Sequence, residues 1–69
     1  MTSEAQAKID QRKAMIRTKA GQHSAAVEAL KQEGITEGEK AAQQSVISRT
    51  EARVAELNQQ IIELGGEPV

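Results

Sequence analysis

The chain has 69 residues, nine basic against ten acidic, and 26 hydrophobic residues of which 11 are alanine. Without Cys, Phe, Tyr or Trp, it has no disulfide framework, no thiolate metal site and no stacking platform for single-stranded nucleic acid. Its length excludes a multi-domain enzyme, and its near-neutral charge argues against a polyanion binder held by bulk charge.

The first residues, Met1-Thr2-Ser3-Glu4, hold neither a basic leader nor an apolar run, so no signal peptide is read there. No stretch approaches the ~20 apolar residues that span a bilayer, and a soluble cytoplasmic protein of a bacterium or bacterial virus is expected. Ser3-Glu4-Ala5-Gln6 fits a capping box, with the Ser3 hydroxyl accepting a backbone N–H and Gln6 reaching back. Good helix formers follow as far as Glu33, so a first helix is expected over about residues 3–33. Gly21 is its soft spot, costing roughly 1 kcal/mol against Ala. Ile9, Ile16, His23 and Leu30 nevertheless recur every seven residues straight through it, which favours a continuous helix. Gly34 offers a left-handed end, with Ile35 placed to sit on Leu30 in a Schellman motif. After a turn over 34–36, Thr36-Glu37-Gly38-Glu39 is a second capping box. It opens a helix over about 37–64, stopped by Gly65-Gly66-Glu67-Pro68. In the tail over 65–69, the closing Glu67-Pro68-Val69 is expected to fray rather than present a free carboxylate to a groove.

The fold class is therefore all-α: one domain over 1–69, an antiparallel two-helix hairpin. Both helices carry a heptad stripe. In the second, Ile47, Val54 and Ile61 alternate with Thr50, Leu57 and Leu64; in the first, Ile9, Ile16, His23, Val27 and Leu30 keep the same rhythm. Folding about Ile35 sets Ile16 level with Val54, Ile9 with Ile61, and His23 with Ile47 and Thr50. Below about 70–80 residues, with no disulfide or metal, a single core supplies little stability and oligomerisation is the usual remedy. Met15, Ala25, Ala26 and Ala29 on the first helix, with Ala55 and Ile62 on the second, are the surplus that a second copy would cover. Homodimerisation into a four-helix bundle is expected.

Candidates for chemistry are few. His23 is the only histidine; it reads as a core-edge residue bonded to Thr50 rather than a pH switch or metal ligand. Lys8, Arg12, Lys13, Arg17 and Lys19 make residues 8–19 net +4 once Asp10 is subtracted. On a helical wheel they split, with Lys8, Arg12 and Lys19 at one edge of the stripe and Lys13 and Arg17 at the other. They are expected to meet acids of the second helix, where residues 35–69 hold three basic and six acidic groups. The alternative is a nucleic-acid surface. Arg49 and Arg53, one turn apart, join Met15 and Ile62 as the expected protein-binding set. Glu56 and Glu63 are outward carboxylates without a cleft, and no Gly-rich phosphate loop precedes a helix. With no nucleophile–base pair legible, neither catalysis nor a cofactor is expected.

This cysteine-free hairpin is similar in plan to the plasmid copy-control RNA-binding hairpin proteins. That family reads paired RNA loops from one bundle face, using an aromatic residue that this chain lacks. The closing stretch, Arg53-Val54-Ala55-Glu56-Leu57-Asn58-Gln59-Gln60-Ile61-Ile62 and on through Glu67-Pro68, resembles the coiled-coil endings of small phage proteins. In size and plan the chain resembles phage-encoded host-takeover proteins. That resemblance implies a non-enzymatic module of phage or mobile-element origin that binds and inhibits a host protein such as a transcription regulator. The alternatives are an RNA- or DNA-binding bundle using the Lys8–Lys19 strip, and a structural piece such as an assembly co-chaperone.

Overall fold

The computed structural model describes residues 2–69. Two helices, α1 (Ser3–Leu30) and α2 (Glu37–Glu63), lie against each other as an antiparallel hairpin. The rod measures 51 × 14 × 13 Å. None of the described helices is long and apolar enough to cross a membrane.

α1 is capped one residue earlier than the sequence pattern indicates. Thr2, not Ser3, takes the extended N-cap conformation, and its Oγ1 accepts the Ala5 N–H at 3.1 Å. Both residues are good caps, and the earlier one adds a residue to the helix. Gln6 does not close a capping box; its Nε2 donates to Asp10 Oδ1 at 2.8 Å, one turn on. Gly21 leaves α1 unbroken, and a Cβ built there meets nothing within 4 Å. Gly21→Ala should therefore stabilise the fold by about 1 kcal/mol, read as a rise in the melting temperature. A lower melting temperature would mean that Gly21 serves a contact outside this chain.

The far end of α1 departs further. The helix stops at Leu30 rather than Glu33, and the connection covers six residues, not three. Lys31 N–H donates to Glu28 O and Gln32 N–H to Ala29 O, the i→i−3 bonds that tighten a last turn. Gly34 does adopt the left-handed conformation, at φ 76°, but too far past the helix end to build the expected Schellman motif. Packed helices stand 8–10 Å apart, and releasing the last turn of α1 provides chain to cross that gap. The Schellman pattern appears instead at the end of α2. There Gly66 N–H reaches Ile61 O at 2.9 Å, Gly65 N–H reaches Ile62 O at 3.0 Å, and Gly65 sits at φ 92°. α2 opens as expected, with Thr36 Oγ1 accepting the Glu39 N–H at 3.1 Å.

The longer connection shifts the register. Arg12 meets Gln60 and His23 meets Glu51 across the hairpin, so Ile16 lies level with Leu57 rather than Val54. Ile9, Ile16, Leu57 and Ile61 form the closed core, with Met15, Val54 and Leu64 packed around it. All four sit towards the open end of the hairpin. In the half nearer the turn only Ala26 and Thr50 are buried, while Val27, Leu30, Val46 and Ile47 stay half-exposed. Thr50 tolerates burial because its hydroxyl, placed on its own helix, reaches Val46 O and Ile47 O at 2.9 and 3.0 Å.

Candidate functional site: two grooves along the hairpin

Side-by-side helices leave a furrow on each flank, and here both are sizeable. On α2, residues two apart point some 200° apart, so Arg49 and Arg53 face one flank while Glu51 and Ala55 face the other. Thr50 forms part of the floor of both.

The first groove encloses about 570 Å³. α1 contributes Lys19, Gln22, Ala25 and Ala26; α2 contributes Val46, Arg49, Arg53 and its neighbours. Three of the lining residues are cations and none is an acid. Arg53 Nη1 holds Glu56 at 2.9 Å along its own helix. Arg49 reaches only the Ser45 carbonyl at 3.4 Å, and Lys19 only Gln22 Oε1 at 3.4 Å. Among the described residues, Lys19 and Arg49 face no carboxylate within ion-pair distance.

The second groove, of about 380 Å³, is lined by His23, Thr50, Glu51, Val54, Ala55 and Asn58. Its imidazole and its carboxylate face each other: His23 Nε2 stands 3.0 Å from Glu51 Oε1. A carboxylate only accepts, so Nε2 carries the proton in this contact. Glu51, not Thr50, is thus the partner of His23, because the Thr50 hydroxyl is turned onto its own helix. At the groove's end Asn58 clasps the backbone of Val69, with Oδ1 accepting its N–H at 2.8 Å and Nδ2 donating to its carbonyl at 3.2 Å. Residues 65–69 do not fray; they fold back along α2. Periodicity carries no sign of this clasp, and only the Asn side chain's capacity to donate and accept at once hints at it.

The other residues singled out from the sequence are dispersed. Met15 is half-buried against the core. Ile62 is 47% exposed, nine residues from Arg53 and hence on the opposite flank. Ala25 and Ala26 line the first groove and Ala55 the second, so the small residues do not share one face. Of the basic strip, Lys8 bridges Glu4 within α1 at 3.4 Å. Arg12 donates from Nε to Gln60 Oε1 at 3.0 Å, tying the two helices together. The expected pairing of the strip with acids of α2 is not formed within the chain. Among the described residues His23–Glu51 is the one contact between a basic side chain and a carboxylate that crosses the hairpin, the others being three or four residues apart on one helix or turn. No described cluster of three or more His, Asp or Glu is placed to hold a metal ion. Comparison with protein-family models, with curated proteins and with solved structures finds no match.

Proposed function

We propose that this chain is a non-enzymatic protein-interaction module that works as a homodimer in the cytoplasm and acts by occupying a surface of another protein. The observation that carries this reading is the apolar surface one copy leaves uncovered. Four large side chains make up the closed core, while Val27, Leu30, Val46 and Ile47 are half-exposed and Ile62 is open. The flank bearing Val54, Ala55 and Ile62 suits a second copy, because its His23 and Glu51 already satisfy each other and a two-fold contact sets like against like. The likeness to phage host-takeover proteins makes a host transcription regulator the first target to test, with inhibition as the expected effect. The nucleic-acid reading has less support, since Arg12 is engaged with Gln60 and Lys8 with Glu4.

Light scattering should report a mass about twice 7.4 kDa, and the melting temperature should climb with protein concentration, as for any folded dimer. Ile62→Lys should lower the mass or weaken that concentration dependence, since Ile62 takes no part in the core of its own chain. A cooperatively melting 7.4 kDa species at micromolar concentration would end the dimer reading.

A further inference from the structure

The first groove has a sided chemistry that selects its occupant. Its floor is short-chained, with Ala25, Ala26 and Val46, and its rims carry Lys19 on α1 and Arg49 and Arg53 on α2. A second copy docked through this flank by a two-fold axis would set those cations against themselves, and like charges across an interface cost several kcal/mol. An elongated trough between two helices, with small residues at the bottom, admits a third helix whose own side chains fill the space above the alanines. Arg49 and Arg53 are one turn apart, matching carboxylates at i and i+4 on such a helix. Lys19 stands on the other rim for a third. Arg53 keeps donors free while holding Glu56, because a guanidinium has five.

We propose that this groove binds an acidic amphipathic helix of a partner protein, seated by apolar contact on Ala25, Ala26 and Val46 and oriented by carboxylates on Lys19, Arg49 and Arg53. This deepens the interaction-module reading and rests on it. Two forces then act in one trough: apolar burial supplies affinity, and the cationic rims reject basic helices.

The test uses two labelled synthetic helices of about three heptads with identical Ala/Leu faces, one flanked by Glu and one by Lys. Fluorescence anisotropy on the full chain should show the Glu helix binding and the Lys helix not. NMR shifts should map to Ala25, Val46 and Arg49 and spare Ala55 and Ile62. R49E/R53E should weaken the Glu helix more than about tenfold and let the Lys helix bind, a swap that loss of fold cannot mimic. Lys19→Glu provides a second arm should the double variant lose helicity. Equal binding of both helices, shifts on the Ala55 flank, or indifference to both variants would overturn the proposal. Salt-steep binding of duplex RNA or DNA lost in R49E/R53E, with no Glu-helix binding, would reassign the groove to nucleic acid. Light scattering reads the dimer separately, so a failed groove and a failed module are told apart.

Discussion

Leu57→Asp should yield a chain with little helix at room temperature and no cooperative melt. Leu57 is fully buried among Ile9, Ile16 and Ile61, and its wider surroundings, Met15, Val54 and Leu64, offer a carboxylate no donor. The substitution removes about 2–3 kcal/mol of burial and adds several more for an unpaired buried charge. A single core in a domain this small supplies only about 3–5 kcal/mol, so the loss exceeds what is there. Nor would the separated helices persist: their stability comes mainly from the packed face, and lone helices are marginal in water. Far-UV circular dichroism and the mass by light scattering check this together. Native helicity and an unchanged mass in the variant would show that the hairpin closes on other residues.

Gly66→Ala should lower the melting temperature by several degrees although it adds a single methyl group. A Cβ there would lie 2.9 Å from Ile61 Cγ2, 3.0 Å from Ile9 Cδ1 and 3.4 Å from Ile61 O. The Ile9 tip can swing aside. Ile61 Cγ2 is a branch on a β-branched side chain that a helix holds in one rotamer, and it cannot move without displacing the core. Overpacking of this kind costs typically 1–3 kcal/mol, which in a domain of this size is about 4–8 °C per kcal/mol. The comparison with Gly21→Ala sharpens the test, since the two substitutions are chemically identical and opposite in expected sign. A melting temperature equal to or above that of the parent would show that the tail does not close over Ile9 in solution.

Much of the fold is legible in the amino-acid sequence. The Thr36 cap, the left-handed Gly34, the stop at Gly65-Gly66 and the stripe holding Ile9, Ile16, Leu57 and Ile61 follow from local chemistry and seven-residue periodicity. Register did not, for a definite reason. Val54 and Leu57 lie on the same stripe, so sliding α2 by one turn exchanges them opposite Ile16 without spoiling the pattern. What sets the slide is the length of the connection, and that depends on how far the chain must travel between helix axes. The cap expected at Ser3 falls instead on Thr2, since two adjacent hydroxyls both cap and composition alone favours the serine. The grooves inherit the register. Arg49 and Arg53 stood out by spacing alone, whereas grouping Lys19 with them requires knowing which turns of α1 and α2 stand abreast. The Asn58–Val69 clasp joins a helix to an irregular tail, where no repeat exists to be read.

The placement of the core at the open end has a consequence for how the molecule comes into being. Ile9 lies near the start of α1, its partners Leu57 and Ile61 lie in the last turns of α2, and Gly66, beyond them, closes over it. Contacts that bridge nearly the whole chain bear their loop-closure entropy before any burial offsets it. Without the last turns of α2, α1 therefore has nothing durable to collapse onto. The core is expected to close in one cooperative step, and removal of residues 65–69 is expected to lower the melting temperature by uncovering Ile9 and Ile61.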